Sequence, residues 1–113
     1  MIFDESRPVQ FRDELPKAVD VLVIGAGVIG ISTAYYLAKA GVSVCVCEKG
    51  RVAGEQSGRN WGWIRQQGRD PAEVSLAMEA NRLWEEISQE VDEDIGFART
   101  GVLFAAADPE HLA

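Results

Sequence analysis

Three glycines are spaced in a way that suits the binding of a diphosphate. Gly25, Gly27 and Gly30 form the pattern G-x-G-x-x-G within the stretch VLVIGAGVIG. The first glycine allows a sharp turn, the second lets a pyrophosphate approach the backbone, and the third lets a helix pack closely on a strand. The N-terminus of the following helix adds N–H groups and a partial positive charge. The spacing therefore predicts a dinucleotide-binding turn.

A carboxylate further along the chain fits the other half of such a ligand. Glu48 follows the apolar run VSVCVC, where an acid can accept hydrogen bonds from the hydroxyl groups of an adenosine ribose. An acid at this place disfavours a 2′-phosphate, and hence NADP, although Lys49 and Arg51 beside it weaken that exclusion.

The elements that must position these residues follow from the apolar periodicity. Residues 19–24 predict a buried parallel strand, residues 28–40 a helix with Gly41 as its C-terminal cap, and residues 42–47 a second buried strand. Two parallel strands joined by one helix form a right-handed βαβ unit. The expected fold class is α/β, with a Rossmann-like βαβ unit that is incomplete.

Composition excludes several other classes of protein. The net charge of −7 and the pI of about 4.6 argue against a nucleic-acid partner, which needs clustered Lys and Arg. The N-terminus is mixed and polar, and the longest apolar run is too short for a membrane span, so we expect a cytoplasmic protein. Cys45 and Cys47 are interpreted as small buried side chains on one strand face, and no metal site is expected.

The chain after Glu48 changes character. Residues 50–69, GRVAGEQSGRNWGWIRQQGR, show no sustained period and predict a long functional loop. Residues 101–106 predict a further strand, and Asp108 before a proline predicts the start of another helix.

A second helix is predicted between these segments, from Asp70 to about Asp92. Asp70 suits the N-cap, Pro71 suits the first turn, and Glu73 is expected to reach back toward the cap. One apolar stripe then follows the helical period. Its members are Leu76, Ala80, Leu83, Trp84, Ile87 and Val91.

The glycine turn, the loop segment SGRNWGW and the segment TGVLF together resemble the FAD-dependent D-amino-acid oxidase superfamily, which includes glycine, sarcosine and related amine oxidoreductases. The resemblance covers about residues 19–107. It implies FAD as the cofactor and an amine or amino acid as the small-molecule substrate. The implied reaction oxidises a C–N bond by hydride transfer to the flavin, which oxygen or an electron-transfer partner then reoxidises.

The resemblance also implies which residues hold the FAD. Glu48 would bind the adenosine ribose, with Lys49 beside the adenine end, while Ser57 and Asn60 would contact the ribityl and pyrophosphate region. Residues 61–65 would run toward the flavin ring, and no catalytic residue is identified. The implied cofactor-binding residues are Gly25, Ala26, Gly27, Val28, Ile29, Gly30, Glu48, Lys49, Ser57 and Asn60.

Three segments are expected: an N-terminal arm at 1–18, the N-terminal part of an FAD-binding domain at 19–92, and the start of a substrate-binding domain at 93–113. The chain is interpreted as the front part of an oxidoreductase that a C-terminal portion or a partner subunit completes. Two alternatives stay open. One is a segment of an NAD-dependent dehydrogenase, which the loop after Glu48 disfavours. The other is an inactive truncated fragment or small subunit that needs a partner chain.

Overall fold

The secondary structure follows the predicted order in the first half of the chain. A computed structural model describes Phe11 and residues 13–108, in two compact units that divide between Trp61 and Gly62. The first unit contains β1 (Val21–Ile24), α1 (Val28–Lys39), β2 (Val44–Cys47) and a short 3-10 turn (Gln56–Arg59). The second unit contains a 3-10 turn (Pro71–Glu73) that leads directly into α2 (Val74–Glu90).

The two strands pair in parallel, with Val21 opposite Val44 and Ile24 opposite Cys47, so the predicted βαβ unit is confirmed. Each strand begins later than predicted, and just before the strands Asp20 and Ser43 are joined by side-chain hydrogen bonds as well as by the backbone. The carboxylate of Asp20 accepts hydrogen bonds from the Ser43 hydroxyl at 2.7 Å and from the Ser43 N–H at 3.0 Å. The Asp20 N–H donates in return to the Ser43 hydroxyl at 2.9 Å.

Helix α1 covers one face of this small sheet. Val21 and Val23 are half-buried, whereas Leu22 is 55% exposed and Ile24 is 85% exposed. The prediction of buried strands is therefore wrong, because parallel strands are buried only when both faces are covered and α1 covers one. The register puts Cys45 and Cys47 on the same face as Leu22 and Ile24, and both thiols are half-buried.

The predicted ends of α1 agree with the structure. The helix ends at Lys39, and Gly41 adopts the left-handed conformation with φ of +83°, which an L-residue with a side chain rarely takes. The Gly41 N–H donates to the Ala38 carbonyl at 2.9 Å and closes the last turn. No helix among the described residues has both the length and the apolar content that a bilayer crossing requires.

The second unit is organised by α2. The Asp70 carboxylate accepts a hydrogen bond from the Ala72 N–H at 2.8 Å with Pro71 in the first turn, so the predicted start is confirmed. The carboxylate of Glu73 pairs with Arg69 at 3.6 Å. The stripe is shorter than predicted, because Leu76 is exposed and Val91 lies just beyond the last helical residue. Its half-buried members are Ala80, Leu83, Trp84 and Ile87.

The strand predicted at 101–106 is wrong for the part of the chain that the structure describes, whereas the assignment of residues 93–113 to a substrate-binding domain stays a prediction. A strand needs a partner for its backbone N–H and C=O groups, and no described residue pairs with this segment. Gly101 has φ of +79°, which interrupts an extended backbone, and Leu103 is 95% exposed. The helix predicted after Asp108, and most of the N-terminal arm, lie outside the described residues.

Candidate cofactor site at the glycine turn

A cleft of about 390 Å³ opens in the first unit at the carboxyl ends of β1 and β2. Its volume lies within the range of small-molecule sites, and in α/β sheets this end of the strands is where ligands bind. Five of the ten predicted cofactor-binding residues line it: Gly25, Gly27, Glu48, Lys49 and Ser57. The other lining residues are Ile24, Cys47, Arg51, Ala53, Gly54, Glu55 and Gln56.

The three glycines of the turn meet three different geometric requirements. Gly25 has φ of +100° and donates its N–H to the Cys47 carbonyl at 2.7 Å, which ties the turn to the end of β2. A side-chain carbon at Gly30 would lie 2.0 Å from the Gly25 carbonyl oxygen, so only glycine lets α1 pack here. Gly27 has an ordinary extended backbone, and a carbon added there would lie 3.0 Å from the Ser57 hydroxyl. Its role toward a phosphate stays a prediction.

Glu48 points toward the glycine turn. Its Oε2 accepts a hydrogen bond from the Ala26 N–H at 2.8 Å, and its Oε1 accepts one from the Gly50 N–H at 2.8 Å. These two N–H groups, that of Ala26 first, hold the pKa of the Glu48 carboxyl below its ordinary value. The acid is therefore ionised at neutral pH and lies at the edge of the cleft.

The N-terminus of α1 is capped from a distant part of the chain. Gly27 occupies the N-cap position and has no side chain with which to bond the first N–H groups. The Val28 N–H instead donates to the Ser57 hydroxyl at 2.8 Å. Ser57 lies on the 3-10 turn Gln56–Arg59, so this bond holds the loop after β2 against the helix end where a phosphate is predicted.

Three further predicted residues, Lys49, Ile29 and Asn60, differ in whether they line the cleft. Lys49 is exposed at the cleft wall and pairs with Glu55 at 3.3 Å. The Asn60 side chain is exposed and donates to the Ser57 carbonyl, so it closes the 3-10 turn. The Ile29 side chain is 81% exposed, and neither Ile29 nor Asn60 is a lining residue of the cleft.

Sequence reasoning missed Ala53 and Glu55 as parts of this site. Ala53 adopts φ of +56° and donates its N–H to the Ala26 carbonyl at 2.9 Å, which brings the loop back to the glycine turn. Alanine gives no sequence signal for a left-handed backbone, because Gly, Asn and Asp are the residues that favour it. Glu55 pairs with both Lys49 and Arg59, an arrangement that only the folded loop brings together.

The segment predicted to run toward the flavin ring lies mostly in the second unit. There the Arg65 guanidinium stacks over the Trp63 ring at 6.0 Å and donates to the Gln67 carbonyl at 2.7 Å. Residues 13–108 contain no group of three or more His, Cys, Asp or Glu side chains arranged to hold a metal ion.

The parallel βαβ unit, the glycine turn and the acid after β2 define a Rossmann-like α/β unit. The sequence matches the family model described as FAD dependent oxidoreductase (DAO) over residues 20–113. The chain therefore belongs to this family of FAD-dependent oxidoreductases.

The chain is also similar to individual relatives and to a solved structure, and it covers less than a quarter of the length of each. The chain is 39% identical over 92 residues to sarcosine oxidase subunit beta of an Arthrobacter species, and covers 23% of its length. It is 29% identical over 99 residues to the mitochondrial pyruvate dehydrogenase phosphatase regulatory subunit of Mus musculus, and covers 11% of that protein. The structure of L-amino acid deaminase from Proteus vulgaris superposes with a TM-score of 0.66 and 38% identity, over 71% of this chain and 21% of the deaminase.

Proposed function

We propose that this chain is the FAD-binding portion of a flavin-dependent oxidoreductase that oxidises the C–N bond of an amino acid or amine. The observation that carries the proposal is the cleft at the ends of β1 and β2, where the glycine turn, Glu48 and Ser57 meet. The family match and the names of two relatives, a sarcosine oxidase subunit and an L-amino acid deaminase, support the type of substrate.

The groups on the cleft walls support the proposal that the adenosine diphosphate half of FAD binds there. The lack of a side chain at Gly27 leaves room beside Ser57, and the helix N-terminus, Lys49 and Arg51 supply positive charge for a diphosphate. The ionised Glu48 supplies acceptors for ribose hydroxyls. When bound, the flavin would accept the hydride from the carbon beside the substrate nitrogen, and these residues would hold its adenosine end.

The choice of FAD over NAD rests on the loop after β2. In this chain the loop returns to the turn through the Ala53 N–H and to the helix end through Ser57, and it forms one wall of the cleft. The family to which the chain belongs is named for FAD. An NAD-dependent dehydrogenase segment is the alternative that the cofactor test separates.

The test is to purify the protein at the length its gene encodes and to identify the released cofactor. We expect a yellow protein whose denatured supernatant contains FAD, identified by chromatography and by fluorescence before and after phosphodiesterase treatment. Bleaching of the bound flavin by N-methyl amino acids or L-amino acids under anaerobic conditions would support the substrate class. A colourless protein that retains NAD would refute the proposal.

A second candidate function is a non-catalytic regulatory subunit that keeps the FAD-binding fold. One relative named as a regulatory subunit is 29% identical over 87% of this chain, which favours the possibility that the fold serves this role. A protein that binds FAD but is not bleached by any amine or amino acid, and that co-purifies with an enzyme, would support this candidate over the first.

A further inference from the structure

Both backbone polar groups of Ala26, its N–H and its C=O, are hydrogen-bonded to distant parts of the chain. The Ala26 N–H donates to Glu48 at 2.8 Å, and the Ala26 carbonyl accepts from the Ala53 N–H at 2.9 Å. Ala26 is buried, with an exposed fraction of only 2%. The middle residue of the turn is therefore bonded to residues that follow β2, and not to its own neighbours.

These two hydrogen bonds of Ala26, to Glu48 and to Ala53, are called the clasp below. They matter because the glycine turn has little conformational rigidity of its own. Gly25, at φ of +100°, and Gly27 flank Ala26, and glycine has access to more backbone conformations than any other residue. The orientation of the peptides between them decides where the N–H groups at the start of α1 point. Without these hydrogen bonds, ligand binding would have to order the turn, and the conformational entropy lost would weaken the affinity.

An ionised carboxylate suits both a clasp and a ligand contact. Glu48 bonds the Ala26 N–H with one oxygen and the Gly50 N–H with the other. A carboxylate has about four acceptor positions, so about two remain for hydroxyl groups of a bound ribose. The same side chain can hold the turn before a ligand arrives and still accept hydrogen bonds from the ligand.

We propose that Glu48 is a positioning residue for the diphosphate cradle: through the Ala26 N–H it holds the glycine turn in its binding conformation, in addition to any contact with ribose. The inference rests on the proposed function, since it concerns the same cleft. A positioning role for Glu48 and a role limited to binding the ribose predict different effects on one kind of ligand. Loss of Glu48 must weaken a ligand that has the diphosphate but lacks the ribose hydroxyls.

The experiment uses flavin-free protein at its natural length and two probes, ADP and 2′,3′-dideoxy-ADP, with calorimetric titration. We expect Glu48→Ala, which removes both acceptor oxygens, to weaken dideoxy-ADP by about tenfold, as for loss of a hydrogen bond to a charged group, and ADP by more. Glu79→Ala is the control for loss of one carboxylate, because Glu79 does not line the cleft and its partner is Arg82 on the same helix, at 2.6 Å. We expect it to change either affinity by less than about twofold.

Unchanged dideoxy-ADP affinity in Glu48→Ala, with weaker ADP binding, would overturn the inference and leave the proposed function standing. Wild-type protein that binds neither probe would overturn the proposed function. Amide hydrogen exchange of the ligand-free wild type needs no variant and tests the clasp independently. The Ala26 amide should exchange as slowly as the amides of β2, and fast exchange at Ala26 would count against the clasp.

Discussion

Gly30 and Gly25 are in closer contact than any residue with a side chain allows, because a carbon added at Gly30 would lie 2.0 Å from the Gly25 carbonyl oxygen. Backbone, unlike the end of a flexible side chain, has no low-cost way to move aside. We therefore expect Gly30→Ala to destabilise the first unit by about 3 kcal/mol or more, at the upper end of overpacking effects. The midpoint of urea unfolding measures this.

Gly50→Ala is the control for that substitution. A carbon added at Gly50 would lie 3.8 Å from the nearest atom of Glu48, an ordinary contact, so the expected change in unfolding free energy is within about 0.5 kcal/mol. Equal effects at the two positions would show that glycine is retained at 30 for some reason other than this contact.

Gly27 is predicted to affect ligand affinity more than stability. Its backbone is ordinary, so Gly27→Ala should leave the fold intact, but the new carbon would lie 3.0 Å from the Ser57 hydroxyl. In the proposed site it would also lie in the path of a phosphate. We expect FAD affinity to fall by about ten- to a hundredfold, as for an overpacked contact, measured by flavin fluorescence quenching on reconstitution.

The double variant Gly27→Ala with Ser57→Gly separates two causes of that loss. If the added carbon acts only by pushing Ser57, removing the hydroxyl should restore affinity toward that of Ser57→Gly alone. If the carbon blocks the phosphate, the double variant should bind no better than Gly27→Ala. We expect the second result.

The elements of the first unit were predictable because each is specified locally. Gly25 and Gly30 mark the turn, Gly41 ends α1, and β-branched runs give β1 and β2, so the order and pairing follow from short stretches of sequence. Strand burial at Leu22 and Ile24 was not predictable in this way, since burial depends on what covers the second face of the sheet.

The candidate site was predictable only in part, for a related physical reason. Gly27 and Glu48 carry a spacing signal, and both lie at the cleft. The bond from Val28 to Ser57 and the bond from Ala53 to Ala26 join residues far apart in the chain through an irregular loop, which has no periodicity from which a conformation is read. The prediction of a strand at 101–106 failed because an apolar segment forms a strand only where a second strand pairs with it.

Asp70 is predicted to account for the start of the second helix. Its carboxylate bonds the Ala72 N–H at 2.8 Å, so Asp70→Ala should cost about 1 kcal/mol, whereas Asp70→Asn keeps a good N-cap and should cost much less. Amide exchange in the first turn of α2 measures the effect where it arises. Equal protection in the two variants would mean that the cap does not stabilise this end.

Asp20 and Ser43 give the first unit a defined acid sensitivity. The Ser43 hydroxyl, and then its N–H, lower the pKa of the Asp20 carboxyl from its ordinary value of 3.8. A lowered pKa means that the folded state favours the ionised form of Asp20. The contribution of Asp20 to the free energy of unfolding is therefore complete well above pH 3.8, and it is lost as the pH falls through the lower pKa of the folded state. Asp20→Asn should therefore reduce stability at pH 7 and flatten the decline of stability below about pH 4.

Ser43→Ala provides the partner test of the same contact. It removes the hydroxyl that is the first cause of the lowered pKa of Asp20. Like Asp20→Asn, it should therefore flatten the decline of the free energy of unfolding at acid pH. Because both variants break one contact, their effects on the free energy of unfolding at pH 7 should be less than additive in the double variant. Full additivity would mean that the two residues stabilise the strand ends independently.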